Sequence, residues 1–168
     1  MPCPVYRGRF APSPSGPLHA GSLLAALGSW LLARQAGGEW LLRIEDIDPP
    51  REVASAAASQ LAALAAFELR HDGGIEYQSR RGHLYQAALE RLLAADLAFE
   101  CHCSRSDLAA TGGIHRRCVT GARRPDPAIR LRVPDACAID FDDRVHGRVT
   151  QTIDTEVGDF VLHSADGM

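Results

Sequence analysis

Residues with ligand-binding chemistry are concentrated in one turn near the start of the sequence, Arg9 to Ser22, which reads RFAPSPSGPLHAGS. The turn lies between a predicted strand and a predicted helix, so it faces the carboxyl edge of a parallel sheet, where α/β folds bind ligands. Prolines stiffen its backbone, and Gly16 and Gly21 permit close turns. The free N–H groups of the helix start, with His19 and Ser22, suit a phosphate group. The turn therefore predicts a phosphate site, and a plain structural turn capped by His19 is the alternative.

A second group of reactive residues lies in the stretch ECHCSRSDLAATGGIHRRC. It holds three thiols and one imidazole, from Cys101, Cys103, His115 and Cys118. These donors suffice for tetrahedral Zn²⁺, although C-x-C is a less usual spacing than C-x-x-C. Spacing alone leaves two interpretations open: a zinc site, or three reduced and partly buried thiols.

Arginines are crowded into the segment around these cysteines. Between residues 104 and 132 the basic residues are Arg105, Arg116, Arg117, Arg123, Arg124, Arg130 and Arg132. Only Asp107 and Asp126 oppose them. The segment is either a solvated basic face or a patch that binds phosphates or RNA.

Apolar periodicity predicts the elements that hold these groups. VYRGRF is predicted to be a strand, and the leucines that follow the turn predict a helix that ends at Gly37 and Gly38. EWLLRIE is predicted to be a buried strand. Pro49 and Pro50 are expected to begin a second helix that continues through SAAASQLAALAAF, and Ser79 is expected to cap a third.

The alternation of strands and helices predicts the opening of a parallel α/β sheet. The sequence then turns Cys-, Gly- and Arg-rich, and later returns to the strand-like runs AIRLRV, AIDFDD, RVTQTI and DFVLH. We therefore expect residues 1–98 to form the first part of the α/β domain, 99–127 a metal-binding insertion, and 128–168 a strand-rich connective segment. Since Asp166-Gly167 is a turn signal just before the end, we expect the domain to be cut there.

The composition is that of an ordinary globular protein of 168 residues, with 46% apolar residues and a net charge of −3. All 18 basic residues are arginine, so a mechanism that needs lysine must obtain it elsewhere. Five cysteines without a secretory signal argue against a disulfide framework, and Cys3 and Cys137 are expected to carry no ligand. The absence of a long apolar run and of a signal peptide predicts a soluble, cytoplasmic protein with no membrane contact.

Two stretches resemble a known family. RFAPSPSGPLHAGS, followed by LLRIEDIDPPR, resembles the glutamyl branch of the class I aminoacyl-tRNA synthetases, whose signature is normally written R-F-A-P-S-P-T-G-x-L-H-I-G and continues to a second histidine. The resemblance implies an α/β fold that forms the first half of a Rossmann-type parallel sheet, with a small zinc-binding insertion. It also implies that ATP, with Mg²⁺, activates glutamate to give glutamyl adenylate and pyrophosphate.

Within this branch the sequence is most similar to shortened members that lack an anticodon-binding domain. For these the resemblance implies transfer of glutamate to the queuosine base of tRNA(Asp), and a monomeric state. Two alternatives remain open. One is a fragment of an ordinary glutamyl-tRNA synthetase, and the other is a non-catalytic, zinc-containing RNA-binding module that keeps the turn as a scaffold.

The resemblance also assigns roles to residues of the turn and of the next strand. The implied catalytic positions are His19, Gly21 and Ser22. Ser22 replaces the usual second histidine, which removes one imidazole donor to the ATP phosphates. The implied glutamate-binding residues are Arg9, Phe10, Ala11, Pro12, Ser13 and Glu45. A guanidinium suits the substrate carboxylate, and Glu45 matches the glutamate that holds the substrate ammonium.

The same resemblance favours zinc. Family members have Cys-x-Cys, a tyrosine after GGI, and a last cysteine four residues beyond that tyrosine. Here His115 takes the tyrosine position and Cys118 comes one residue early. We expect one structural zinc per chain, held by Cys101, Cys103, His115 and Cys118. Because the zinc-bearing insertion of this family faces the acceptor end of tRNA, RNA contacts are expected from Arg116, Arg117, Arg123 and Arg124.

The second signature of the family, K-M-S-K-S, does not occur in this sequence. It contributes lysine to the ATP phosphates, and it lies in the second half of the nucleotide fold. We therefore expect that the chain as given carries half of an active site and forms glutamyl adenylate at no appreciable rate by itself.

Overall fold

A computed structural model of the protein describes residues 5–164, which divide into two compact units, 5–83 and 84–164. The boundary falls inside a helix. Cys3 and the Asp166-Gly167 turn lie outside the described residues, so the expectations placed on them stay predictions. The three-part division at residues 98 and 127 likewise stays a prediction.

The first unit contains a parallel three-stranded sheet in the order β1-β2-β3. One helix joins β1 to β2 and another joins β2 to β3, which confirms the predicted strand–helix alternation. The elements are β1 (Arg7–Phe10), α1 (Ala20–Gln35), β2 (Glu39–Ile44), α2 (Ala56–Ala66) and β3 (Glu76–Tyr77). Since β1 and β2 are parallel, the turn after β1 and the residues after β2 reach the same edge of the sheet.

The core of this unit forms between the first two strands, α1, and the Leu64 and Leu69 side chains from α2 and the chain after it. Residues alternate between buried and more exposed along β1 and β2, and the rings of Phe10 and Trp40 stack with centroids 6.3 Å apart. Helix α1 buries Ala26 and Ala33, whereas the larger apolar residue Leu24 on the same helix is 70% exposed. Small side chains therefore line the buried face, because they let the helix approach the sheet closely.

The second helix begins later than predicted. Pro49–Arg51 forms only a single 3₁₀ turn, and α2 starts at Ala56, after Ser55 in a left-handed conformation with φ of 65°. Between the two, Glu52 is extended and the N–H of Val53 donates to Pro14 O at 2.9 Å. This long-range hydrogen bond holds the chain against the turn that follows β1, so the helix cannot run on from the prolines.

The predicted cap of the third helix is also wrong. Residues Gln78–Arg81 form a 3₁₀ turn, and α3 spans Gly82–Ala94. The side chain and N–H of Ser79 both donate to the carboxylate of Asp46, at 2.7 and 2.9 Å. Ser79 therefore binds the carboxylate of Asp46, which is distant in the sequence, and does not cap the helix.

The second unit is antiparallel. Its main sheet has the order β4-β5-β8, and a separate hairpin pairs β6 with β7. The strands confirm the strand-like runs noted in the sequence, and a short helix, α4, joins β7 to the last strand. The elements are β4 (Ala98–Cys101), β5 (Ala128–Leu131), β6 (Ala138–Asp143), β7 (Gly147–Thr152), α4 (Ile153–Glu156) and β8 (Val161–His163). Within residues 5–164, no helix combines the length and apolarity needed to cross a membrane.

Candidate active site and metal centre

The turn that follows β1 is tied down by hydrogen bonds from two later segments. The N–H of Glu45, just after β2, donates to Pro12 O at 3.0 Å, and the N–H of Val53 donates to Pro14 O. Pro14 itself is buried. The turn is thus fixed relative to the end of β2, and Glu45 lies beside it.

Gln60 of α2 makes a third connection to the turn, one that sequence reasoning missed. Its side chain is 97% buried, since only 3% of the residue is exposed, and its Nε2 donates to Ser13 O at 3.0 Å and Gly16 O at 2.7 Å. A single amide thereby holds two carbonyl groups of the turn at a fixed separation. The available signal was weak: Gln60 is a large polar residue in a helix of alanine, leucine and one serine.

His19, Gly21 and Ser22 lie together at the start of α1, as predicted. His19 is the N-cap, and its Nδ1 accepts a hydrogen bond from the Ser22 N–H at 3.2 Å. Its Nε2 lies 3.1 Å from the Ser22 hydroxyl. A Cβ on Gly21 would come within 3.1 Å of the His19 ring, so glycine leaves room for the imidazole. The imidazole and hydroxyl therefore stand as a pair beside the N–H groups of the helix start.

The predicted glutamate-binding residues separate into different environments. The Phe10 ring belongs to the core, where it stacks on Trp40, whereas Arg9 lies on the exposed face of β1 and forms no ion pair within residues 5–164. Glu45 is half-buried, and its Oε1 accepts from Arg43 Nη2 at 2.6 Å. Ala11 and Pro12 are half-buried residues of the turn itself.

A small cavity opens between the turn and the segment after β2. Its volume is about 150 Å³, and the residues around it are Ser13, Pro14, Ser15, Glu45, Asp48, Arg51 and Glu52. Three of these residues, Glu45, Asp48 and Glu52, carry carboxylates. The one basic residue among them, Arg51, is paired with Asp48. Two of the predicted glutamate-binding residues, Ser13 and Glu45, therefore share one acidic cavity, and an ammonium group suits that charge.

In the second unit the four predicted metal ligands come together. The donor atoms of Cys101, Cys103, His115 and Cys118 all lie within 4.8 Å of one another. Cys101 Sγ lies 3.4 Å from His115 Nε2 and 4.0 Å from Cys118 Sγ. A tetrahedral zinc with about 2.3 Å to sulfur and about 2.1 Å to nitrogen separates such donors by roughly 3.6–3.8 Å. The donor set therefore fits a tetrahedral ion, and Cys137 is not part of it.

The electrostatics of the thiols also favour a cation. Burial, and next the electrostatic effect of the neighbouring Cys101 sulfur, raise the pKa of Cys118 to about 11. Burial raises the pKa of Cys103 as well, but hydrogen bonds from the N–H groups of Val119 and Thr120 outweigh it and lower that pKa overall. Ionising all three sulfur atoms at this distance costs electrostatic repulsion, and a divalent cation at their centre would offset it.

Sequence reasoning missed a buried carboxylate beside this cluster. Asp159, which is 5% exposed, places Oδ2 3.0 Å from His115 Nδ1. No local signal links the two residues, because 44 positions separate them. The contact depends on the fold of the second unit.

The four arginines predicted to bind RNA are not alike. Arg116 donates to Val133 O at 3.0 Å and pairs with Asp135, and Arg124 lies 3.8 Å from the carboxylate of Asp107. The other two, Arg117 and Arg123, are exposed and form no ion pair within residues 5–164. Their predicted RNA contacts stay a prediction.

Comparison with known proteins identifies the class to which this fold and these sites belong. Residues 6–125 match the family model described as tRNA synthetases class I (E and Q), catalytic domain. Because this match covers most of the sequence, the chain belongs to that family, and the resemblance seen in the two signature stretches is confirmed.

Individual relatives narrow the class further. A curated protein named glutamyl-Q tRNA(Asp) synthetase, from Xanthomonas campestris pv. campestris (strain 8004), is 62% identical over 164 residues, which are 96% of this chain and 54% of that protein. A protein of the same name from Burkholderia cenocepacia (strain HI2424) is 52% identical over an aligned length of 177, and the alignment covers 98% of this chain and 59% of that protein. The chain thus spans somewhat more than half the length of these curated relatives.

Solved structures show the same fold. The crystal structure of a glutamate tRNA ligase from Elizabethkingia meningosepticum, in complex with its amino acid, matches with a TM-score of 0.78 at 28% identity. The match covers 96% of this chain and 39% of that one. The predicted class I synthetase-like α/β fold with a parallel sheet is therefore confirmed.

Proposed function

We propose that this chain supplies part of an enzyme that activates glutamate with ATP and transfers it to the queuosine base of tRNA(Asp). The names of the relatives at 51–62% identity support this activity. The observation that carries the proposal is the fixed turn after β1, where the backbone N–H groups of the α1 start, His19 and Ser22 stand together.

The chemistry of this proposal needs no covalent nucleophile from the protein. The substrate carboxylate attacks the α-phosphorus of ATP, an O–P bond forms, and pyrophosphate leaves with the electron pair of the bond that breaks. The work of the protein is alignment and stabilisation of charge. His19, Ser22 and the helix start would hold the phosphates, Mg²⁺ would accompany the ATP, and Arg9 would hold the glutamate side chain.

Substrate orientation in this scheme depends on the rigidity of the turn. Gln60 fixes Ser13 O and Gly16 O, and the chain around Val53 fixes Pro14 O. The acidic cavity beside Ser13 and Glu45 would take the ammonium of glutamate. The side-chain carboxylate and the ammonium of the substrate glutamate would therefore be held by separate groups of the protein.

Binding of a non-hydrolysable glutamyl-adenylate analogue tests the active site directly. We expect the chain to bind the analogue in calorimetry, and both Arg9→Ala and His19→Ala to weaken binding by at least tenfold. His71→Ala is the control, because this half-buried imidazole lies outside the turn and its Nδ1 is 3.0 Å from Gly73 O. Equal binding by the wild type and the two site variants would refute the proposed site and favour the non-catalytic RNA-binding module.

The 168 residues alone are proposed to be inactive in adenylate formation. They contain no lysine, so the lysine that the family presents to the phosphates has no counterpart in this sequence. In an ATP–pyrophosphate exchange assay we expect no turnover above background, with the intact Xanthomonas relative as the positive control. Clear exchange by the 168 residues would contradict this part of the proposal while leaving the binding site in place.

For the second unit we propose one structural zinc ion, held by Cys101, Cys103, His115 and Cys118. All four positions of a tetrahedral ion would be filled by protein donors, which leaves none for substrate or water. Metal analysis of protein purified without chelators should give about one zinc per chain, and less than ~0.2 would count against the site.

Acceptor recognition is proposed to use the exposed basic residues of the same unit. Arg117 and Arg123 are free of ion pairs within residues 5–164, so they are better placed for phosphate contacts than Arg116. A plot of the logarithm of the tRNA binding constant against the logarithm of the salt concentration has a negative slope. Replacing both arginines with glutamine should reduce the magnitude of this slope by roughly two. An unchanged slope would remove them from the RNA contacts. The cytoplasmic location and the monomeric state stay predictions.

A further inference from the structure

We propose that Asp159 positions His115 as a metal ligand, so that the metal centre comprises a carboxylate–histidine pair in addition to three thiolates. This inference rests on the proposed zinc site. Asp159 lies beyond residues 6–125, the part that matches the family model, and neither the sequence motifs nor the relatives' names point to it.

The side-chain geometry favours one state of the imidazole. His115 is fully buried, its Nδ1 lies 3.0 Å from Asp159 Oδ2, and its Nε2 lies 3.4 Å from Cys101 Sγ. A carboxylate accepts hydrogen bonds and does not donate them, so it holds the imidazole proton on Nδ1. The lone pair of Nε2 then faces the three sulfur atoms, which is the form that binds a metal.

The backbone joins the same two residues. The N–H of Asp159 donates to His115 O at 2.7 Å, and His115 and Gly158 form an isolated parallel bridge. Gly158 has a φ of +70°, and a Cβ there would lie 2.4 Å from His115 O. Only glycine therefore lets the chain that carries Asp159 approach the chain that carries His115 so closely.

Asp159 is itself held in place by several groups. Its Oδ1 accepts from the Val133 N–H at 2.9 Å, and Arg116 Nη1 lies 3.5 Å from the same oxygen. Arg130, also buried, donates to the main-chain oxygen of Asp159 at 2.7 Å. One carboxylate oxygen is thus occupied by the scaffold, and the other is directed at the imidazole.

The isosteric change Asp159→Asn provides the sharpest test, because an amide carries one acceptor and one donor. In one orientation its NH₂ faces His115 Nδ1 and favours the tautomer that cannot bind metal through Nε2. In the other orientation its NH₂ faces the Val133 N–H, and two donors oppose each other. Neither orientation satisfies both neighbours, although the volume of the side chain is unchanged.

Zinc affinity, measured by competition with a chromophoric chelator, should fall about 10–100-fold in Asp159→Asn and in Asp159→Ala. Asp135→Asn is the matched control, because Asp135 also pairs with Arg116 but is exposed and does not contact His115. Its affinity should remain within about twofold of the wild type. Equal affinities for all four proteins would overturn the inference.

A double-mutant cycle distinguishes an effect of Asp159 through His115 from an effect on the fold alone. In the His115→Ala background the imidazole is gone, so the further change Asp159→Asn should alter zinc affinity by less than about threefold. The same loss as in the presence of His115 would mean that Asp159 acts on the fold alone, and the inference would fail. In the zinc-loaded wild type, NMR should also show a slowly exchanging Nδ1 proton on His115, and its absence would contradict the pairing.

Failure of the underlying site gives a different result. If the wild-type chain binds less than ~0.2 zinc, the metal centre fails and the role of Asp159 fails with it. If the wild type binds one zinc but Asp159→Asn and Asp159→Ala bind it equally well, only the role of Asp159 is overturned. Should Asp159→Ala not fold, the isosteric Asp159→Asn and the NMR measurement on the wild type still decide.

Discussion

The buried side chains of residues 5–83 are mostly aromatic and aliphatic, whereas those of residues 84–164 include sulfur, imidazole, guanidinium and carboxylate groups. In the first unit the buried cluster is Phe10, Ala26, Ala33, Trp40, Leu42, Leu64 and Leu69. In the second it is Cys101, Cys103 and Leu108, with His115, Arg130 and Asp159 as buried polar neighbours. Apolar packing can stabilise the first unit by itself, while the second depends on satisfying groups that are costly to bury alone.

Metal removal should give the largest difference in stability between the two units. With a strong chelator we expect amide protection to be lost in the second unit, around β4, β5 and the segment that carries Asp159, and to be kept in β1, β2 and α1. Structural zinc in small peptides contributes about 10–16 kcal/mol of apparent binding free energy at neutral pH, and two of the three residues in the buried cluster of this unit are proposed zinc ligands. Hydrogen exchange with mass spectrometry measures both units in one sample, so the first unit is the internal control. Equal loss in both units, or loss in neither, would contradict a metal-dependent stability confined to the second unit.

A matched pair of glycines probes the two units separately. A Cβ on Gly38 would lie 2.1 Å from Tyr6 O, and one on Gly158 would lie 2.4 Å from His115 O. Because backbone atoms cannot move aside cheaply, each change to alanine should cost about 3 kcal/mol of unfolding free energy, at the upper end of overpacking effects. Gly38→Ala should leave zinc affinity unchanged, whereas Gly158→Ala should lower it.

The controls for this pair are Gly28→Ala and Gly121→Ala, where a Cβ meets nothing within 4 Å. Gly28 lies inside α1, so its replacement should stabilise the first unit by about 0.5–1 kcal/mol. Urea denaturation together with the zinc assay measures all four variants. If Gly158→Ala kept both full stability and full zinc affinity, the close backbone approach at His115 would not matter.

Gln60 offers a smaller effect that is confined to the first unit. Gln60→Leu removes the hydrogen bonds to Ser13 O and Gly16 O, each worth about 0.5–1.5 kcal/mol, so roughly 1–3 kcal/mol of stability should be lost. Binding of the adenylate analogue should weaken too, since the turn is no longer fixed. Ser59→Ala is the control, because this neighbour on α2 is exposed. Unchanged analogue binding in Gln60→Leu would show that the turn keeps its shape without this amide.

The smallest expected effect concerns the carboxylate of Asp72 in the first unit. Hydrogen bonds from the Trp40 N–H and the Arg34 guanidinium hold the pKa of Asp72 below its usual value. Since the folded-state pKa is the lower one, this stabilisation is complete above about pH 4 and is lost as the pH falls through the folded-state pKa. Asp72→Asn should therefore be less stable than the wild type at pH 7, and the difference should shrink towards pH 3. Urea midpoints across this range measure it, and a difference that does not depend on pH would contradict the charge-based explanation.

Local sequence predicted much of the first unit, because its signals are local. The proline-rich turn, the helix that ends at Gln35 just before Gly37, and the apolar strand after it all lie close to where the sequence places them. The errors occur where distant groups compete with local preference. Val53 is held by Pro14 O, which delays α2, and Ser79 is held by Asp46, which removes it from the helix cap.

The same reasoning explains what could be predicted of the sites. Residue type and close spacing in the sequence are enough to identify the four candidate metal ligands, Cys101, Cys103, His115 and Cys118. They do not identify Asp159, because an aspartate is common and its 44-residue separation from His115 is bridged only by the folded strands. Residues that bind a ligand directly are thus easier to find in a sequence than residues that orient them.

Strand β1 has a hydrogen-bonded neighbour on one side only among residues 5–164, since the sheet order is β1-β2-β3. The N–H and C=O groups along its other side are available to any extended peptide of matching length. An unpaired strand edge of this kind is a place where a further extended segment can extend a sheet.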